Sequence, residues 1–289
     1  MNTELPSTYF LSPEQRQFYE ENGYLVIKGL IDFATLYSYK QRFSQIITTR
    51  NVEKGIMRIV KEKKLIAQGV TGEDVINKIS EIHFDEVFMS YTEHPRLIHV
   101  LSQFIGDDMR VMNSMLINKP PGSVSHPPHQ DIFYFPFRPA EKIIAAWTAV
   151  DDATVENGCL YIVPKSHKRN VTYKHGTIED AASVLYHGIL DQAVASEPRV
   201  YLEMSPGDTV FFHPLLVHGS GPNNTQRYRK SMTAHYAAAD VHYIDVRGSI
   251  QEDIGKEIEE QAKKYGANLS FAEIWQLKSK EVKRVKSKL

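Results

Sequence analysis

Between residues 109 and 236 the chain is divided into short runs of β-branched and aromatic residues, separated by clusters of glycine, proline, asparagine and aspartate. A series of runs like these predicts an antiparallel sandwich or barrel. Strands of one barrel adjoin in space whatever their separation in sequence, so distant side chains can meet inside it. The predicted strands are 111–118, 132–135, 143–150, 159–163, 200–204, 209–212, 216–218 and 231–236.

The part of the chain before residue 109 is predicted to be mainly helical. A serine–proline start and an asparagine–glycine stop predict a helix over 13–21, followed by a strand over 24–27. Apolar residues at helical spacing between 33 and 47 predict a second helix that packs against a sheet. The charged segment 51–72 is expected to be an exposed connection.

Composition limits the class of protein. With 289 residues, 42% of them hydrophobic and 24% charged, the chain is typical of one globular domain, 1–289. Its net charge of −1 gives no electrostatic reason to bind nucleic acid or a membrane surface. No apolar run approaches the roughly 18 residues of a membrane-spanning helix. The single cysteine, Cys159, excludes an internal disulfide framework and fits a reducing compartment.

A His-x-Asp triplet is the first candidate for chemistry. His129 and Asp131 are expected on one face of an extended segment, which places an imidazole beside a carboxylate. On its own such a triplet is more often a solvated strand or a capped turn. His218 is the best candidate for a third ligand. Two histidines and one carboxylate leave open positions on a metal, as in non-haem Fe(II) oxygenases.

An arginine after the second histidine adds to this pattern. The turn-rich segment 219–224 predicts a hairpin, and the returning strand contains Arg229 and His235. The planar guanidinium of Arg229 suits a dicarboxylate, because its fork grips a carboxylate through two charge-assisted hydrogen bonds. Arg227 is the rival, since alternation puts both arginines on the same strand face.

Three longer motifs carry a resemblance to a known family. They are Met-Leu-Ile-Asn-Lys-Pro-Pro at 115–121, His-Gln-Asp at 129–131 with Tyr-Phe-Pro-Phe-Arg-Pro at 134–139, and Phe-Phe-His-Pro-Leu-Leu-Val-His-Gly-Ser-Gly at 211–221. Together they resemble the phytanoyl-CoA dioxygenase family of Fe(II)/2-oxoglutarate-dependent oxygenases, and the similarity runs from about Glu14 to the last helix. The resemblance implies a mainly β fold with flanking helices around a double-stranded β-helix, a cupin-like jelly roll. It divides the chain into a helical part at about 10–108, the jelly-roll core at about 109–240 and C-terminal helices at about 248–286.

The resemblance also assigns residues around the metal ligands. Arg229 is matched to the arginine that holds the far carboxylate of 2-oxoglutarate, which is why it is preferred over Arg227. Ser220 is similar to the serine that assists it, although a turn-forming serine is the alternative. Trp147 and Met115 are similar to further contacts to this co-substrate, although each could be core. Lys78 is similar to a contacting lysine, whereas the sequence alone predicts a surface lysine.

Activity and cofactors follow from the resemblance as expectations. They are hydroxylation at carbon 2 of a branched, phytanoyl-type acyl-CoA in peroxisomal fatty-acid α-oxidation, with Fe(II), 2-oxoglutarate and O2, and with ascorbate as a stimulant. The alternatives are a same-fold oxygenase for another small metabolite, or a non-catalytic relative that binds acyl-CoA or metal. The aromatic run at 133–137 could line an acyl channel or pack in the core, and 169–198 is expected to be a long loop at the pocket mouth.

The tripeptide Ser287-Lys288-Leu289 at the end of the sequence matches the signal that the peroxisomal import receptor reads. The alternative is a frayed, lysine-rich helix end. We therefore expect a peroxisomal protein with this receptor as a partner.

Overall fold

Short antiparallel strands alternate with turns and loops in the region after residue 108, as predicted. The computed structural model describes residues 7–49, 56–178 and 187–282. Its strands are β1 (Tyr24–Ile27), β2 (Arg58–Lys61), β3 (Ile76–Ser80), β4 (Met109–Ile117), β5 (His126–His129), β6 (Phe137–Arg138), β7 (Ile143–Ala149), β8 (Leu160–Ile162), β9 (His175–Thr177), β10 (His187–Ile189), β11 (Val200–Leu202), β12 (Thr209–Phe212), β13 (His218–Ser220), β14 (Ser231–Ala238), β15 (His242–Tyr243) and β16 (Lys280–Glu281).

Helices flank these strands in sequence. They are α1 (Pro13–Asn22), α2 (Phe33–Thr49), α3 (Lys63–Ala67), α4 (Glu86–Thr92), α5 (Pro95–Ile105), α6 (Gln192–Ala195), α7 (Glu252–Lys264) and α8 (Phe271–Lys278). Within the described residues, no helix combines the length and the apolar character that a membrane crossing requires.

Two antiparallel sheets form the centre of the fold. The larger sheet has the order β1–β12–β7–β14–β4–β3–β2, with β16 also paired to β4, and the smaller has the order β11–β8–β13–β5. Apolar side chains from both sheets, including Trp147 of the larger and Leu160 of the smaller, pack in one buried cluster. The sheets therefore face each other, and the predicted jelly roll is confirmed.

Cross-strand register determines which side chains of the larger sheet point between the sheets. Ser80 pairs with Met115, Met115 with Thr233 and Thr233 with Trp147, so the four side chains form one row across β3, β4, β14 and β7. His235 lies two residues along β14 from Thr233 and points to the same face. This row is the floor of the candidate site.

The opposite face of the larger sheet packs against helices of the N-terminal part. Leu116, Met232 and Phe211 belong to a buried cluster that also contains Phe43 of α2 and Phe88 of α4. The two ends of α1 are fixed by local residues close to the bounds that the sequence predicted. Ser12 and Gln15 form a capping box, and Gly23 ends the helix with a left-handed φ of 81°. A Cβ on Gly23 would lie 2.4 Å from His167 Nδ1, so this position requires glycine on two counts.

Three predictions of secondary structure were wrong. Residues 132–135 are not a strand: Asp131–Tyr134 is a 3-10 helix, because Phe133 N–H bonds to Gln130 O and Phe135 N–H to Ile132 O. Segment 51–72 is not simply an exposed connection, since β2 pairs with β3 and Leu65 is buried; residues 51–55 lie outside the described part. Segment 169–198 is not an open loop, because it contains the β9–β10 hairpin and α6; residues 179–186 are outside the described part.

Candidate active site

The two candidate histidine ligands are direct cross-strand partners. His129 on β5 pairs with His218 on β13, although 89 positions separate them in the sequence (218 − 129). We predicted that Asp131 would lie on the same extended segment as His129, and this was wrong. β5 ends at His129, and Asp131 begins the 3-10 helix. It still reaches the same point. Its Oδ1 lies 3.6 Å from His129 Nε2 and 3.7 Å from His218 Nε2.

The hydrogen bonds of both imidazoles suit metal binding. His129 Nδ1 lies 2.9 Å from Pro127 O and His218 Nδ1 lies 3.0 Å from Leu216 O, so each Nδ1–H donates to a backbone carbonyl. Nε2 of each ring is then the nitrogen left to bind a metal, and it faces Asp131. All three ligand atoms lie within 4.8 Å of one another. Two imidazole nitrogens and one carboxylate are the donor set of a non-haem Fe(II) centre, so these residues fit that ion.

Burial makes the three groups electrostatically dependent on each other. Burial, together with the nearby His129, lowers the pKa of His218 to about 4. Burial by itself would raise the pKa of Asp131, but His235 and His218 outweigh it and hold that pKa well below its usual range. The carboxyl group is therefore ionised, and His218 is neutral near pH 7, which are the protonation states that metal binding requires.

Two cavities of different character meet at these residues. One has a volume of about 70 Å³ and the other about 350 Å³. The walls that they share are formed by Met115, His126, His129, Asp131 and His235. A metal held by the three ligands would therefore be accessible from both cavities.

The small cavity ends in a buried arginine. Arg229 is 2% exposed, its Nη1 donates to Ser231 Oγ at 2.7 Å, and its guanidinium carbon lies 5.3 Å from the ring centre of Trp147. Ser220 and Thr233 line the same cavity. Arg227 is exposed, so the prediction that both arginines share a strand face was wrong; β14 begins only at Ser231, after both of them.

The C-terminal helices and the segment between them contribute nine apolar residues to the lining of the large cavity. Tyr134 and Phe135 of the predicted aromatic channel also line it, whereas Phe137 packs in a neighbouring core cluster. Three cations also line this cavity: Arg58 of β2, Lys78 of β3 and Lys278 at the end of α8. The apolar residues from the C-terminal part are Ile254, Ile258, Ala262, Tyr265, Ala267, Leu269, Ile274, Trp275 and Leu277.

Comparison with known proteins decides the family. Residues 19–231, more than half of the chain, match the family described as phytanoyl-CoA dioxygenase. The chain belongs to this family.

Curated relatives and solved structures agree with this assignment. The chain is 40% identical to human "Phytanoyl-CoA dioxygenase, peroxisomal", over 96% of this chain and 85% of the human protein. It is 41% identical to "Probable phytanoyl-CoA dioxygenase" of Caenorhabditis elegans, over 96% of this chain and 95% of the relative. Among solved structures it is similar to the epimerase SnoN in complex with Fe3+, alpha ketoglutarate and nogalamycin RO. That likeness has a TM-score of 0.62 and 22% identity, over 83% of this chain and 88% of SnoN. The predicted family and the enzyme class, a dioxygenase, are confirmed.

In this member of the phytanoyl-CoA dioxygenase family, the other predicted site residues lie in one or both of the two cavities. Ser220 and Trp147 line the small cavity beside Arg229, and Met115 lines both. Lys78 lines the large cavity instead, on the wall opposite the C-terminal helices. It is not the surface lysine that the sequence alone suggested, because it is only partly exposed and lines the cavity; burial, with Arg58 nearby, lowers its pKa to about 8.

Sequence reasoning assigned no role to three residues of the site. His235 Nε2 lies 2.9 Å from Asp131 Oδ2, and Lys119 adds a second buried cation to the small cavity. Gln130 is buried and ties the metal-ligand segment to its surroundings, since its Nε2 donates to Leu215 O and its Oε1 accepts from Tyr173 N–H. Gln130 and Lys119 both lie inside the family motifs. This was the only feature of the sequence that could have indicated that they belong to the site.

Proposed function

We propose that this protein is an Fe(II)- and 2-oxoglutarate-dependent dioxygenase that hydroxylates carbon 2 of a branched, phytanoyl-type acyl-CoA in fatty-acid α-oxidation. The observation that carries the proposal is the meeting of two unlike cavities at His129 and Asp131, with His218 lining the smaller one. One cavity is small and cationic, which suits a short dicarboxylate, and the other is large and apolar on one wall, which suits a hydrocarbon chain. The overall reaction converts substrate, O2 and 2-oxoglutarate to hydroxylated product, succinate and carbon dioxide.

The three ligands would hold Fe(II) and leave positions open on the side of the cavities. Iron supplies the oxidising chemistry when it is bound with 2-oxoglutarate and O2, and we expect ascorbate to stimulate turnover. The residues of the chain orient the reactants and exclude water. His129 and His218 are 4% and 5% exposed, which is the enclosure that a reactive oxidant requires.

We place 2-oxoglutarate in the small cavity. Arg229 and Ser220 would hold its far carboxylate, while Trp147 and Met115 form the walls. The guanidinium already donates to Ser231 and lies over Trp147, so its direction is fixed before any ligand binds. A donor that is held in place loses little side-chain freedom when the co-substrate arrives, which favours tight binding.

Lys119 gives this binding a pH dependence. Burial, together with Arg229, lowers the pKa of Lys119 to about 7, and the other titratable groups facing it are Glu62 and His126. A dicarboxylate binds the charged form of Lys119 better, so affinity for 2-oxoglutarate should fall as the pH rises through 7. We expect the apparent KM for 2-oxoglutarate to increase by up to about tenfold per pH unit above 7, the limit for one coupled proton. Lys119→Met should remove this dependence; a variant whose profile matches the wild type between pH 6 and 8 would contradict the assignment.

We place the acyl chain in the large cavity, along the apolar wall from α7 and α8. Arg58 and Lys78 on the strands β2 and β3, with Lys278 at the end of α8, suit the polar thioester end of the substrate. Lys278 pairs with the buried Glu81 at 2.5 Å and lies over the Trp275 ring at 4.4 Å, so it links the two walls. An amphipathic ligand would thus be oriented with its chain against the helices and its head toward the strands.

The test is 2-oxoglutarate decarboxylation by the Fe(II)-loaded protein, with and without a 3-methyl-branched acyl-CoA. Stimulation of succinate release by the thioester, with a product 2-hydroxylated by mass spectrometry, is the expected result. Stimulation only by a free fatty acid or another metabolite would favour a different oxygenase substrate. Metal and acyl-CoA binding without turnover would favour a non-catalytic relative, although the buried Arg229 beside the ligands argues for an oxygenase.

We also propose a peroxisomal location. The human relative is named peroxisomal. The tripeptide Ser287-Lys288-Leu289, which we expect the import receptor to bind, lies outside the described residues. A fluorescent fusion that keeps 287–289 free should enter peroxisomes, and one lacking them should not.

A further inference from the structure

His235 is placed to act on one particular oxygen of the candidate metal ligand. Its Nε2 lies 2.9 Å from Asp131 Oδ2, while Oδ1 of the same carboxylate faces His129 and His218. Because an ionised carboxylate can only accept hydrogen bonds, Nε2 of His235 must carry the proton. Nδ1 of His235 is buried and has no hydrogen-bond partner among the described residues, so no acceptor there competes for that proton.

The backbone of β14 fixes the direction of this ring. The pairing of β14 with β4 changes register between His235 and Tyr236, and such bulges redirect side chains beside active sites. Tyr236 is fully buried on the opposite face, where its hydroxyl donates to Thr92 O at 3.1 Å. Phe135 packs edge-on against His235 with ring centres 5.2 Å apart. Contacts on both faces of the sheet therefore hold His235 against Asp131.

We propose that His235 is a positioning residue that restricts Asp131 to one-oxygen coordination of the metal, an inference that rests on the proposed function. If both carboxylate oxygens reached the metal, they would occupy a position that 2-oxoglutarate or O2 needs. The hydrogen bond from His235 to Oδ2 would hold that oxygen away from a bound metal and leave Oδ1 to bind it. Partners of this kind commonly contribute about 10- to 100-fold to metal affinity or activity.

The test compares three variants by Co(II) binding, measured by calorimetry and by the visible spectrum with and without 2-oxoglutarate. His235→Leu removes the donor, and we expect Co(II) affinity to fall by about 10- to 100-fold, with a changed visible spectrum. His235→Gln places an amide N–H near the former Nε2 and should recover most of the affinity. His235→Asn carries the same amide on a shorter side chain that does not reach Oδ2, so it should behave like His235→Leu.

A buried histidine outside the site provides the matched control. His83 bonds through Nδ1 to Ser114 Oγ at 2.6 Å and through Nε2 to Lys278 O at 2.7 Å. His83→Leu should lower the melting temperature, because it leaves buried polar groups unpaired, but should not change Co(II) affinity.

The outcomes separate this inference from the proposed function. Wild-type affinity and an unchanged spectrum in His235→Leu, or equal behaviour of the Gln and Asn variants, would overturn the role of His235 alone. Absence of Co(II) binding in the wild-type protein would overturn the proposed metal centre itself. If His235→Leu does not fold, the Gln and Asn pair, which differ by one methylene, decides the question.

Discussion

Asp131→Ala is expected to abolish iron-dependent turnover while the protein stays folded. The substitution removes the only carboxylate in the cluster formed by His129, Asp131 and His218, and metal affinity should fall by more than about 100-fold, the upper range for residues that only support a ligand. The fold should survive, because the segment around Asp131 is held by its backbone bonds and by Gln130. Metal titration, succinate release and thermal unfolding would measure the three effects.

An exposed carboxylate serves as the control for this variant. Asp240 pairs with Lys142, and its side chain is 67% exposed. Asp240→Ala should bind metal and turn over as the wild type does, since an exposed ion pair contributes little. Full activity in Asp131→Ala would mean that the metal site lies elsewhere.

Arg229→Ala should chiefly raise the requirement for 2-oxoglutarate. Loss of one partner of a buried charge-assisted pair costs about 2–5 kcal/mol, so the apparent KM should rise by roughly 30-fold or more. Arg229→Lys should recover only part of this, because a lysine keeps the charge but not the planar fork. Steady-state kinetics at saturating acyl-CoA would measure the change, and Co(II) binding without 2-oxoglutarate should stay the same.

Arg227 offers a closely matched control. It is two positions before Arg229 and exposed, so Arg227→Ala should leave the KM for 2-oxoglutarate unchanged. If the two alanine variants raised the KM equally, the co-substrate would not be bound at the end of the small cavity.

The site residues that the sequence could predict are those that lie in long motifs or have strong local signals. The His-Gln-Asp triplet and the His218 segment were found in this way, and α1 was bounded correctly by its own cap residues. The strands were found because their β-branched and aromatic runs stand between turn residues. The main local failure, the 3-10 helix Asp131–Tyr134, has the apolar composition of a strand; its backbone bonds to its own neighbours rather than to a partner strand.

The sequence by itself determined the family, the jelly-roll class and the candidate metal ligands, because the motifs and the strand-forming runs can be read directly from the order of the residues. Only the tertiary structure decided which arginine is buried, that Lys78 faces the large cavity, and that α7 and α8 supply an apolar wall. It also decided the contact of His235 with Asp131, which are 104 positions apart. Such contacts depend on strand register and on a bulge, and neither leaves a periodic signal in the local sequence.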